Sequence, residues 1–319
     1  MNSADRILPG VALMIAFCIT APLIDVASKL AAQAVPVGMI TLARYVVQAV
    51  LMAPIITFMR LDWWMSRRAF WLTLARAAVS IGATYTFVAA VKVMPVADAL
   101  AIAFVEPFII LLIGKLVLSE QVGPRRIAAS AVGFVGALFV IQPSFAMFGA
   151  VALFPLGTAV FFAAYMLITR ALSRHMHPVT MQMHTALVAT ALCLPLLALG
   201  TAMGEETLAF KLPDGIFWLW VFCVGLAATI SHMAMTYALK WAPSSTLAPL
   251  HYLEIVTATL FGYLVFGDFP NWLTWIGISI IVGSGLYIIH REQMVARQAR
   301  QSLRATTHAP APLASARPE

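Results

Sequence analysis

The chain has 319 residues, of which 62% are hydrophobic and only 10% charged, with a formal net charge of +7, against a globular norm of roughly 45–50% apolar and about 25% charged. A soluble core cannot hide that much apolar surface, so the composition excludes a cytosolic enzyme, a DNA-binding domain and a secreted disulfide scaffold; at about 20 apolar residues per crossing, ten membrane crossings take roughly 200 residues and leave only short loops. Cys18, Cys193 and Cys223 each stand alone in an apolar run, so no CxxC metal site or disulfide framework exists and no cofactor is expected.

Prolines, glycines and charged clusters punctuate ten helices at about 8–31, 36–58, 70–91, 95–118, 124–142, 148–170, 178–200, 213–239, 243–266 and 271–290. The first begins like a secretory signal, with Arg6, an apolar run and a small-residue Ala32-Gln33-Ala34 step. It continues through Asp25 and Lys29, and another span follows directly after Pro36, so it reads as a retained helix. Asp25 and Lys29, one turn apart near its outer end, read as an i, i+4 ion pair. Helix 2 carries Thr41, Arg44 and Gln48 on one side, and helix 3 carries Thr73, Arg76, Ser80 and Thr84 on one side. Each half-buried arginine therefore heads a polar stripe, with a helix lock as the alternative to a ligand contact; Tyr85 of helix 3 joins the candidate set. Helix 4 aligns Asp98, Ile102 and Glu106 at four-residue spacing, and helix 5 repeats Ala129, Gly133 and Ala137, a close-packing pattern.

In the second half, His184, His232 and His251 fall in helices 7, 8 and 9, and helix 9 carries the stripe Thr246, His251, Glu254 and Thr257. No HExxH or paired metal spacing accompanies them, so a polar lining is expected and no metal. Glu106 and Glu254 lie near the middles of helices 4 and 9, where an ionisable group costs about 2.5–3.5 kcal/mol on insertion scales and is by default functional. Tryptophans cluster at helix ends as an interfacial belt. Loop charges alternate: Arg60, Arg67, Arg68, Arg125, Arg126, Arg170, Arg174 and Lys240 share one side with Arg6 and the tail, which places both termini in the cytoplasm. The tail at 291–319 is basic, then rich in Ala and Pro, and reads as disordered or lying on anionic headgroups.

Sliding the chain by 148 positions puts Lys92-Val93-Met94-Pro95 on Lys240-Trp241-Ala242-Pro243, Glu106 on Glu254, Gly114 on Gly262 and Glu120 on Asp268. Two units, 1–147 and 148–290, each carry five helices on this reading. Five being odd, the units are inverted, the arrangement that lets a transporter rock around a central site. The fold class expected is an all-α integral membrane protein of ten transmembrane helices in two inverted five-helix repeats.

The chain resembles the EamA family of the drug/metabolite transporter superfamily. The resemblance rests on Arg44-Tyr45, on Val93-Met94-Pro95-Val96-Ala97-Asp98-Ala99 leading to Glu106-Pro107-Phe108, on Leu118-Ser119-Glu120 and on Gly133-Phe134-Val135-Gly136. Arg76 with the Glu106-Pro107 step makes it look most like the branch of riboflavin and S-adenosylmethionine uptake carriers. It implies a secondary, non-ATP transporter of a small metabolite in the bacterial inner membrane, riboflavin uptake being the first specific expectation. An exporter of amino acids, nucleoside metabolites or a metallophore on the same fold is the alternative, and an intramembrane lipid-handling enzyme a remote one that lacks a spaced nucleophile and base. The expected partners are a small-molecule substrate, the lipid bilayer and a coupling proton, with no nucleic acid and the oligomeric state open. The candidate substrate or coupling residues are Glu106, Glu254, Arg76, Arg44, Asp98, His251, His232, Tyr85 and Gln48.

Overall fold

The structure, a computed structural model, describes residues 4–93, 96–117, 123–141, 149–173, 175–267 and 272–307; the side chains of 4–6, 96–98, 101, 140–141 and 152, and most of those beyond 291, lie outside the description. The described segments are helical with no strand among them. In order they are α1 (Ala4–Thr20), α2 (Pro22–Ala31), α3 (Val37–Met59), α4 (Arg67–Val93), α5 (Val96–Ala103), α6 (Glu106–Val117), α7 (Pro124–Ile141), α8 (Leu153–Leu172), α9 (Pro178–Ala202), α10 (Phe217–Trp241), α11 (Ser244–Leu247), α12 (Leu253–Phe266) and α13 (Trp272–Thr307). Among the described residues, eight helical stretches are long and apolar enough to cross a membrane. The expected fourth and fifth spans reach into residues outside the description; what is described of the fourth is divided into α5 and α6, of 8 and 12 residues, and of the fifth is α7. The last helix runs on to Thr307, so the first part of the tail, expected to be disordered or to lie on anionic headgroups, is helical: residues 291–307 hold no proline to stop it.

Backbone bookkeeping explains the interruptions. Pro22 has no N–H for the Cys18 carbonyl four residues earlier, and α1 gives way to α2 there; Thr257 of α12 donates its hydroxyl to that carbonyl instead, at 2.5 Å. α5 ends before Glu106-Pro107, since a residue preceding proline is pushed away from helical geometry and Pro107 cannot bond back to Ala103. The Phe108 amide turns to Val105 at 3.1 Å, which leaves the Phe104 carbonyl to accept the Tyr252 hydroxyl at 3.2 Å. Tyr252 closes the 3-10 turn Ala248–Tyr252, seeded by Pro249, that separates α11 from α12. Phe104 and Tyr252 are 148 positions apart, the self-alignment offset, and their rings sit 5.7 Å apart between centroids. Two interrupted helices thus meet at equivalent residues. Gly133 of α7 lies under Tyr252, where a Cβ would come within 2.5 Å of the ring. That agrees with the small-residue stripe read as packing. Around this crossing α7 packs on α13, α4 on α8, α1 on α10 and α3 on α9.

Candidate functional site

A cavity of about 110 Å³ lies where the interrupted helices meet α2, α3, α4, α8 and α10. Its walls combine Phe17, Phe87, Phe104 and Phe162 with Asp25, Ser28, Arg44, Ser80, Thr84, Thr158, Glu106, His232, His251 and Glu254. Phe17 and Phe162 stack with ring centroids 6.3 Å apart, and His251 lies nearly parallel to Phe162 at 5.5 Å. These rings make an aromatic slab. The cavity belongs to the half of the bundle built from the C-terminal parts of the first span and α4 and the N-terminal part of α8, as Asp25, Ser28, Val88 and Thr158 show.

His251 stands between the two acids. Its Nδ1 is 3.2 Å from Oε2 of Glu106 and its Nε2 is 2.9 Å from Oε2 of Glu254. All three are buried. A neutral imidazole offers one donor and one acceptor, and a carboxylate only accepts, so pairing with both acids requires an imidazolium or a protonated carboxyl. Arg44, at the cavity wall on α3, donates to Thr84 and to Nε2 of His232, the latter at 2.8 Å. Guanidinium never accepts, so His232 accepts at Nε2 and carries its proton on Nδ1. Thr84 and His232 are themselves one self-alignment offset apart. Six buried polar atoms of this wall make no hydrogen bond within the protein: Asp25 Oδ2, Glu106 Oε1, Arg44 Nε, His232 Nδ1 and both ring nitrogens of His251, whose carboxylate neighbours lie within ion-pair distance but off hydrogen-bond geometry.

Arg44, Glu106, His232, His251 and Glu254 thus converge, and Arg76, Gln48 and Tyr85 lie apart. Arg76 is fully buried but outside the cavity lining, about two turns of α4 from Thr84 towards the helix start. It donates to Thr169 at 2.7 Å, to the Tyr165 hydroxyl at 2.6 Å, to Gln182 at 3.4 Å and to Thr185, and lies 4.4 Å over the Tyr165 ring. Gln48 belongs to the same network, donating to Gln182 at 2.9 Å, while Gln182 reaches the His232 carbonyl and Thr236 at 2.8 Å. α3, α4, α8, α9 and α10 are thereby joined. Tyr85, one step around α4, meets Thr207 of a loop at 3.2 Å rather than the cavity. Asp98 lies on α5, and its side chain falls outside the described residues. His184 is buried against Trp63, with ring centroids 4.8 Å apart, and does not line the cavity.

The sequence reading passed over Asp25. No ion pair joins it to Lys29, which places its ammonium 4.8 Å over the Phe266 ring, while Asp25 lines the cavity. A signal was present in the spacing of Phe17, Ala21, Ile24, Asp25 and Ser28, which share one helical face; the charge spacing to Lys29 masked it.

A many-helix membrane protein with a buried, polar, aromatic-walled cavity is the form of a transporter rather than of a soluble enzyme. The model of the EamA-like transporter family matches residues 8–142 and again 148–290, and the chain belongs to that family. Among its relatives, a protein of Brucella anthropi named riboflavin transporter is 26% identical over 290 residues, 90% of this chain and 100% of that one. A riboflavin transporter of Vibrio cholerae is 31% identical over 65% of this chain and 67% of its own. An S-adenosylmethionine uptake transporter of Rickettsia prowazekii is 22% identical over 92% of this chain and 97% of its own. A solved crystal structure, 19% identical, superposes with a TM-score of 0.72 over 93% of this chain and 99% of that one, a likeness of fold.

Proposed function

We propose that the chain is a secondary transporter of the bacterial inner membrane that takes up riboflavin by alternating access. On this reading it has ten crossings, two inverted five-helix units and both termini in the cytoplasm. The carrying observation is the wall chemistry: an aromatic slab of Phe17, Phe162 and His251 beside unpartnered donors on Arg44 and His232 and unpartnered acceptors on Asp25 and Glu106. A planar heterocycle with a donor- and acceptor-bearing edge needs that mixture. The relatives named riboflavin transporters support the same ligand. Glu106, His251 and Glu254 act as ligand contact and proton carrier together; the reading is supported by the imidazole lying within 3.2 Å of one buried carboxylate and 2.9 Å of the other.

A second reading, uptake of a cationic nucleoside metabolite, draws on the three carboxylates at one cavity and on the relatives named for S-adenosylmethionine. Labelled riboflavin uptake in a host lacking its own flavin carrier separates the readings. Saturable uptake that excess S-adenosylmethionine leaves intact is expected. Glu106→Gln and Glu254→Gln should each cut it while folded protein stays in the membrane. No flavin uptake by correctly inserted wild type would overturn the riboflavin reading.

A further inference from the structure

We infer that Asp25, one turn from Ser28 on α2, is the residue that recognises the hydroxyl-bearing chain of the ligand and so sets selectivity between a flavin with a polyol tail and one without. This rests on the flavin reading of the cavity and adds the direction in which the ligand lies.

Two carboxylate oxygens of the cavity, Glu106 Oε1 and Asp25 Oδ2, have no protein partner, and of the two only Asp25 Oδ2 belongs to a carboxylate that does not touch His251. Glu106 and Glu254 each give an oxygen to His251, and the hydroxyl of Thr84 accepts from Arg44. Asp25 keeps Oδ2 buried without a protein partner, and Lys29 is turned away to Phe266. Buried polar atoms are nearly always hydrogen-bonded in native proteins, so an unpaired carboxylate oxygen at a cavity wall marks where a ligand donor belongs. Hydroxyl groups supply such donors, and the ribityl chain carries a row of them.

Placement along the first span sets the orientation. Phe17 lies about two turns before Asp25, and Ser28 one turn beyond it on the same face; all three line the cavity. The ring system therefore rests on Phe17, Phe162 and His251, and the tail runs along α2 past Asp25 to Ser28. The Cys18 carbonyl, which Pro22 leaves without its helical partner, accepts from Thr257 of α12 and ties this segment to the interrupted helix beside the cavity.

Binding of riboflavin and of lumiflavin, the same ring with a methyl group in place of the ribityl chain, can be followed by flavin fluorescence on purified full-length protein. Wild type should prefer riboflavin. Asp25→Asn and Asp25→Ala should weaken riboflavin binding about 10- to 100-fold, the worth of a hydrogen bond to a charged group, and leave lumiflavin within about twofold on the same scale. Asp25→Asn, which conserves shape, should melt within a few degrees of wild type. An unchanged riboflavin-to-lumiflavin ratio in both variants overturns the assignment, as does equal loss of both ligands. Wild type that binds neither flavin overturns the flavin reading itself, an outcome distinct from the first two.

Discussion

Replacing Arg76 by lysine distinguishes a guanidinium that holds helices together from one that holds ligand. Arg76 is fully buried, and its four hydrogen-bond partners, Thr169, Thr185, Tyr165 and Gln182, are all neutral groups of α8 and α9. Each bond to a charged donor contributes about 1.5–3 kcal/mol. An ammonium is a point donor that cannot span a forked set, so lysine keeps about two of the four and also loses the stacking on Tyr165. The loss is limited because Thr169 and Thr185 keep the hydroxyl bonds they make to their own helix carbonyls, at 2.7 and 2.8 Å, and are not left unsatisfied. The net cost is about 2–4 kcal/mol, worth roughly 3–6 °C in melting temperature for a chain of this size. Melting of the detergent-solubilised protein measures the first effect, and KM for labelled riboflavin the second. Arg76→Lys should lower the melting temperature and leave KM within about twofold, since Arg76 does not line the cavity. A several-fold rise in KM with no change in melting would refute the reasoning and return Arg76 to the binding site.

The crossing of the interrupted helices gives two further expectations. Gly133→Ala places a methyl carbon 2.5 Å from the Tyr252 ring, which its bond to the Phe104 carbonyl keeps in place; overpacking of this kind costs about 1–3 kcal/mol, and the melting temperature should fall by several degrees. An unchanged melting temperature would mean that the crossing yields freely. Tyr252→Phe removes only the donor to the Phe104 carbonyl and should cost about 1 kcal/mol, with ligand affinity unchanged; a large loss of affinity at full stability would place the Tyr252 hydroxyl in the binding site instead.

Much of the scaffold was legible because apolar length and punctuation are strong signals. The expected span at 178–200 is α9 (Pro178–Ala202), and that at 36–58 is α3 (Val37–Met59). Glu106, Glu254, His232 and His251 could be picked out because a mid-span ionisable group has few structural excuses. Depth was harder to read. The stripe Thr73, Arg76, Ser80 and Thr84 does share a face of α4, yet only Ser80 and Thr84 reach the cavity, because a 3.6-residue period specifies the direction of a side chain and not the level at which neighbouring helices part. Breaks were missed for a related reason. Apart from Glu106 before it, Pro107 sits inside an apolar run, and hydropathy continues straight through the turn at Phe104 and Val105. Asp25 was misassigned because local charge spacing outweighed the face it shares with Phe17, Ala21 and Ser28.

The equivalence of the two halves at an offset of 148 is closer in backbone than in chemistry. Both interrupted helices resume at or next to a glutamate, and the residues just before, Phe104 and Tyr252, touch each other. One step earlier the match fails: Ala103 occupies the position whose counterpart is His251. Thr84 likewise stands where the second half has His232. Both imidazoles of the cavity therefore come from one half, while the two glutamates that flank His251 come one from each. A symmetric pair of acids with a symmetric pair of bases would settle into two separate, self-satisfied couples. One imidazole between two acids is a neighbour that the two halves share, with one glutamate from each beside it. If the halves exchange roles during transport, as the inverted-unit proposal requires, His251 is the group whose partnership with Glu106 or Glu254 distinguishes one state from the other, and Arg44, which ties α3 to Thr84 of α4 and His232 of α10, is the strut that keeps the cavity wall intact while that partnership shifts.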